Sequence, residues 1–232
     1  MNEIDITRDE IARLVAAVDY SEALTITATE KEVRVACDYA THYGFRSVAV
    51  FPHHLGRVVE HLHGSQTLAM IVVGFPCGGN TTHVKCTEAE EGLKAGATDL
   101  DMVMNVGAFK NGDYRKVAND IGEVKAVAQP FDVPVKVIIE VGVLSEEEKV
   151  TAANLVADTG VTFVKTCTGF APGRATLHDI LLLKKTVGDR IGVKASGGVT
   201  TIEDGVILMR AGAGVVAMRK PVVDQLEAMS WN

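Results

Sequence analysis

The sequence predicts an α/β domain in which eight parallel strands close into a single (β/α)8 TIM barrel over residues 1–232, with a short helix ahead of the first strand. Three observations carry this. Eight short runs rich in Val, Ile and Leu recur along the chain, each followed by a longer amphipathic segment, with Gly, Asn or Asp between them. The runs are apolar on both faces, as parallel strands are when other elements cover each side. Eight βα units also fit a closed barrel at this length, 232 residues. A doubly wound sheet of five or six strands would leave two or three runs unexplained, and it lacks the long glycine signal needed after its first strand.

Taken in order, the strands are expected over residues 14–19, 47–51, 68–75, 98–105, 135–140, 162–166, 192–195 and 214–217. Helix starts are marked by Thr29 before Val33, Thr81 before Cys86, Ser145-Glu-Glu-Glu before Val150, and Thr201-Ile-Glu-Asp before Val206. Acidic residues in these first turns complement the helix dipole. No stretch rich in Pro, Gly and Ser divides the chain.

Composition excludes several classes of function. With 47% hydrophobic and 23% charged residues the chain has the make-up of a globular protein, large enough to build a core without disulfides or structural metal. A net charge of −7 and dispersed Lys and Arg residues leave no basic footprint for nucleic acid. The longest apolar stretch, 68–75, is far short of the roughly 20 residues that cross a bilayer, so no membrane partner is expected. The opening Met-Asn-Glu-Ile-Asp-Ile-Thr lacks the pattern of a secretory leader, and Cys37, Cys77, Cys86 and Cys167 form no C-x-x-C, so reduced thiols and a cytoplasmic location are expected. A mean hydropathy of +0.17 with few aromatics suggests apolar surface to cover, and hence a homodimer.

Four charged residues interrupt the apolar strands: Asp101, Lys136, Lys165 and Lys194. The lysines are spaced by 29 residues each time, so consecutive strands carry one each. An unpartnered buried ammonium costs several kcal/mol, so these lysines are either paired or used. Glu140 shares the face of Lys136 by the two-residue strand period, and Asp101 lies one strand earlier. Two lysines on adjacent strands repel, and burial acts in the same direction, so the more enclosed one should lose its proton more easily. A neutral amine is what Schiff-base chemistry requires.

The runs Phe163-Val-Lys-Thr-Cys-Thr-Gly-Phe, Val193-Lys-Ala-Ser-Gly-Gly-Val, Leu100-Asp-Met-Val-Met-Asn-Val-Gly and Lys136-Val-Ile-Ile-Glu resemble the deoxyribose-phosphate aldolase family, class I aldolases on a (β/α)8 barrel. The resemblance is strong over about residues 68–213. It implies that Lys165 is the Schiff-base lysine, Lys194 the lysine that perturbs it, and Asp101 the carboxylate that relays protons through water. Lys136 would be a buried partner of Asp101, while Asp19 and Ser21 stand where the family has an Asp-x-Thr. The implied reaction joins acetaldehyde to an aldehyde acceptor, in the family glyceraldehyde 3-phosphate, with no metal and no other cofactor.

At the acceptor end the match is partial. Thr168-Gly169 and Gly197-Gly198 fit the family's phosphate-binding loops. After the eighth strand the family has a Gly-x-Ser or Ser-Ser turn, whereas this chain reads Ala217-Met-Arg-Lys-Pro, so Arg219 and Lys220 are expected to supply charge there instead. The beginning also differs, with Tyr20 and Ala23-Leu-Thr in place of a His-Thr-Leu-Leu-like run. A Schiff-base aldolase with an unphosphorylated acceptor is therefore the alternative. A further one is a binding barrel without catalysis, although such a barrel would be expected to have lost one of Asp101, Lys165 or Lys194.

Three other features are weighed here. Cys167 replaces the usual serine and reads as a packed small side chain more readily than as a reactive thiol. His53, His54, His61 and His63 fall on one short helix and its loop and read as solvated surface rather than metal ligands. Gly74-Phe-Pro-Cys-Gly-Gly-Asn is either a phosphate-cradling loop or a strand-to-helix turn. Phe75, Phe109 and Phe170 are expected to pack the barrel's ends.

Overall fold

The chain enters its first helix through a capping box: the Thr7 side chain accepts the Glu10 N–H, and the Glu10 carboxylate accepts the N–H of Thr7. A computed structural model describes residues 5–231, so Met1 to Ile4 of the opening segment and Asn232 lie outside the described residues. Helix α1 (Arg8–Ala16) buries Ile11, Leu14 and Val15, an i, i+3, i+4 set. Residues 14–16, expected to open the first strand, therefore belong to the helix, and β1 is the short Val18–Tyr20.

The remaining strands are β2 (Ser47–Val50), β3 (Leu68–Val73), β4 (Asp99–Val103), β5 (Val135–Ile138), β6 (Phe163–Lys165), β7 (Gly192–Ala195) and β8 (Val215–Met218). All pair in parallel in chain order, and β8 closes onto β1. The architecture is a (β/α)8 TIM barrel. Several strands stop before the apolar run does, because the run continues into the loop that follows. Glu140 leaves the ladder with a left-handed φ of 56°, and Gly74 does so with a φ of 64°.

Around the barrel lie α2 (Glu30–Tyr43), α3 (Leu55–His61), α4 (Thr82–Lys94), α5 (Val106–Lys110), α6 (Tyr114–Ala128), α7 (Glu146–Asp158), α8 (Leu177–Val187), α9 (Ile202–Arg210) and α10 (Lys220–Ala228). The four expected starts are all N-caps: Thr29 and Ser145 form capping boxes with Glu32 and Glu148, while Thr81 and Thr201 accept the N–H of Val84 and Asp204. Each such cap stabilises by about 1 kcal/mol. Among the described residues no helix is long and apolar enough to cross a membrane.

Strand alternation sorts the core. Val18, Val48, Val50, Ile71, Leu100, Val137, Val164 and Val193 are among the outward residues that pack in one cluster with the helices. Fully burying each side chain of this kind contributes about 1.5–3 kcal/mol. The inward face is different, because it holds Asp19, Asp99, Asp101, Lys136, Lys165 and Lys194, all buried. At the N-terminal end of the barrel Phe163 lies against Gly192, where a Cβ would stand 2.3 Å from the ring. His54 departs from the expected solvated surface: it is buried, and its Nε2 lies 3.1 Å from the Ala28 carbonyl oxygen.

Candidate active site

Consecutive inward positions on β1, β4, β5, β6 and β7 meet on the barrel axis, and register aligns Asp101 with Lys136 and Lys165 with Lys194. Lys165 and Lys194 both donate to Oδ2 of Asp101, each at 2.6 Å. The Lys194 ammonium also lies 2.5 Å from Oδ2 of Asp19. Lys136 donates to Asp99 and stands 3.1 Å from Oδ1 of Asp101. Below them, Arg46 bridges Asp19, at 2.7 Å, and Asp99, while the Ser47 hydroxyl donates to Asp19 at 2.6 Å.

This is a balanced ion cluster. Three carboxylates, Asp19, Asp99 and Asp101, face Arg46, Lys136 and Lys194, and Lys165 is the fourth cation. The cluster is electrically neutral when Lys165 is uncharged. Burial pushes Lys165 down, Lys194 adds to this and Asp101 opposes it, leaving its pKa at about 8. About a tenth of Lys165 is then a free amine at pH 7. Burial works against the charge of Asp101, but Lys136, Lys165 and Lys194 outweigh it and hold the carboxyl well below the usual range. Asp19 is lowered likewise, burial being overcome by Lys194, Lys136 and Arg46. In Lys136 burial is overcome by the carboxylates, which raise it.

A cavity of about 260 Å³ opens above this cluster at the C-terminal end of the strands. Lys165 and Lys194 both line it, Lys165 with 4% of its side chain exposed and Lys194 with 0%, whereas Lys136 lies below. Of the other expected site residues, Ser21, Thr168, Gly169, Gly197, Gly198, Arg219 and Lys220 line it. Asp19 does not, since it is completely buried and serves the ion cluster instead of an incoming ligand. Thr168 is fixed by Glu140, whose Oε2 accepts its hydroxyl at 2.6 Å and its N–H at 3.1 Å. Glu140 is thus not the partner of Lys136 that the strand period suggested. The left-handed Gly198 lets the chain pass Arg174, where a Cβ would come within 3.0 Å of the arginine Cβ.

Arg219 and Lys220 both reach the cavity, and each is also engaged by a neighbouring group. Lys220 lines the cavity, while its ammonium pairs with Asp224 and lies 5.0 Å from the centre of the Tyr39 ring. Arg219 lines the cavity, but one guanidinium N–H is held by the Leu24 carbonyl at 3.2 Å. Cys167 is fully buried and its thiol is pushed up to about 12, chiefly by burial, which is the state of a packed side chain. The loop after β3 folds as a strand-to-helix turn around α4: Glu88 accepts the Gly74 N–H at 2.6 Å, and Lys85 packs beneath Gly74.

Sequence reasoning missed Arg46, Ser47, Asp99 and Glu22. Asp99 had a signal, because two residues before Asp101 in a strand means the same face. It also missed the wholly buried Lys85, which ties α4 to Asp120 of α6 at 2.5 Å and to the Val103 carbonyl at 2.9 Å.

The family model for DeoC/LacD family aldolases matches residues 13–222. The chain belongs to this aldolase family. This aldolase is 42% identical over 206 residues to the deoxyribose-phosphate aldolase of Caldanaerobacter subterraneus subsp. tengcongensis, covering 88% of this chain and 89% of the relative. It is 46% identical over 206 residues to that of Thermoanaerobacter pseudethanolicus, covering 88% and 91%. The tetrameric deoxyribose phosphate aldolase of Aeropyrum pernix superposes with a TM-score of 0.84 at 27% identity, over 98% of this chain and 99% of that one.

Proposed function

We propose that this aldolase makes and breaks a carbon–carbon bond through a Schiff base on Lys165, with acetaldehyde as donor. The observation that carries the reading is Lys165 itself: a buried lysine with a pKa of about 8 that opens onto the cavity while sharing a carboxylate with Lys194. Its free amine adds to the aldehyde carbon, and the carbinolamine loses water to give an iminium. The iminium draws electrons from the adjacent methyl group, which gives up a proton that Asp101 accepts through a water. The resulting enamine attacks the acceptor aldehyde, whose oxygen takes up a proton, and water then releases the product and restores Lys165. Lys136 and Lys194 hold Asp101 ionised until it takes up the methyl proton, and it gives the proton back when the cycle closes. Cleavage is the same sequence reversed.

The names of the relatives support 2-deoxyribose 5-phosphate, split into acetaldehyde and glyceraldehyde 3-phosphate, as the reference substrate. The nucleophile and the bond are the same whether or not the sugar carries phosphate. Borohydride added with acetaldehyde should inactivate the protein and leave an ethyl group on Lys165. An ethyl group on Lys194 would reverse the assignment, and absence of any label would remove the Schiff-base mechanism.

A further inference from the structure

We infer that the cavity rim beside β8 is built for an uncharged polyhydroxy aldehyde and that Glu22 sets this preference; the inference rests on the aldolase reading above. A barrel that binds a phosphate ester after strands seven and eight offers backbone N–H groups at a helix N-terminus to the anion. The helix in that place is α10, and its leading N–H groups are already engaged or missing. The Lys220 N–H is already donated to Oε2 of Glu22 at 2.8 Å. Pro221 carries no N–H, and the Val222 N–H is taken by the Arg219 carbonyl at 3.0 Å. The Lys220 ammonium is engaged with Asp224.

Glu22 lines the same cavity as Lys165. A carboxylate therefore occupies the N-terminus of α10, on the same wall that an incoming phosphate would approach. A phosphorylated acceptor would have to displace it or lie beside it, and like charges at close range repel. A hydroxyl at the same end of the acceptor meets the opposite situation, because it can donate to Glu22, a charge-assisted hydrogen bond. Arg219, anchored on the Leu24 carbonyl, and Lys220, paired with Asp224, are cations of this wall, and the Glu22 charge opposes their pull on an anion.

The test compares kcat/KM for cleavage of 2-deoxyribose and 2-deoxyribose 5-phosphate by the whole protein and by its Glu22→Gln and Glu22→Asp variants. Gln keeps an oxygen for the Lys220 N–H and removes only the charge. The parent protein should favour the unphosphorylated sugar. Glu22→Gln should raise the ratio of phosphorylated to unphosphorylated kcat/KM at least tenfold, mainly through KM of the phosphate ester, and Glu22→Asp, which retains the charge, should stay with the parent. A parent preference for the phosphate ester, a ratio within threefold in Glu22→Gln, or an equal shift in both variants overturns the inference. So does cleavage of neither sugar by a protein in which borohydride traps acetaldehyde on Lys165. Failure of that trapping instead removes the aldolase reading, and the acceptor inference falls with it.

Discussion

Lys165 and Lys194 are register partners on neighbouring strands, and their amines share one oxygen, Oδ2 of Asp101, at 2.6 Å each. Sharing one acceptor forces an asymmetry. The completely buried Lys194 has a second carboxylate in Asp19, whereas Lys165 pairs only with Asp101 among the described residues and is the one with side-chain surface exposed in the cavity. The proton is thus more easily lost from Lys165.

The pH dependence of imine formation follows. With Lys165 at about 8, the rate of acetaldehyde trapping should rise through pH 8 and level off above it. Replacing Lys194 by Leu removes one of the two influences that lower Lys165, so the acidic limb should move to higher pH and trapping at pH 7 should fall by about tenfold or more. Lys194→Arg, which retains the charge, should keep the limb closer to pH 8. An unmoved limb in Lys194→Leu would mean that burial alone sets the value.

Asp101→Asn separates two steps. Without the carboxylate, Lys165 loses the charge that holds its proton, so imine trapping should persist with its limb at lower pH. Exchange of acetaldehyde methyl hydrogens in D2O should drop by about 100-fold or more, because the base is gone. Exchange at the parent's rate would remove Asp101 from the proton relay.

Arg46 should matter for stability from the far end of the barrel. Its side chain, 19% exposed, is the link between the buried Asp19 and Asp99. Arg46→Met leaves both carboxylates short of a partner and should cost about 3 kcal/mol, lowering Tm by roughly 6–12 °C. A loss of less than about 1 kcal/mol in urea titration would show that Lys136 and Lys194 suffice.

Acid should loosen the fold through the same carboxylates. Asp19 and Asp101 titrate below their ordinary 3.8 in the folded chain, so the unfolded chain binds more protons once pH drops toward that value. Their contribution is complete above pH 3.8 and is lost as pH falls through the folded values. Tm should therefore fall steeply below pH 4, and the slope should be shallower in Asp19→Asn. Equal slopes in the two proteins would exclude Asp19 as a contributor.

Much of this was legible because short-range chemistry leaves marks in sequence. Thr29, Thr81, Ser145 and Thr201 announced their helices since a cap depends on the next three residues alone. Lys165, Lys194 and Asp101 stood out because a charge inside an apolar run is costly. The inward row as a whole was harder to see. Strands of three to six residues expose only two or three inward positions each, and a single charge among them leaves a run that looks apolar on both faces. Arg46 was hidden for a different reason. It precedes its strand and resembles any surface arginine until barrel closure brings Asp19 and Asp99, 27 and 53 residues away in sequence, to its guanidinium. Glu22 was overlooked likewise, because its partner lies 198 residues on.

The row of ions along the barrel axis also bears on how the chain assembles. Asp19 enters from β1, the cations opposite it come from Arg46 and from β5 and β7, and β1 is held between β2 and β8. A half-barrel built without β1 would leave Lys194 and Arg46 short of a counter-ion, and open to water such groups prefer hydration to burial. The last strand to dock would then dry out the whole row at once. Neighbour-by-neighbour zippering of the sheet would be penalised, and closure and dehydration would become one cooperative event, so that the full set of ion pairs exists only in the finished ring.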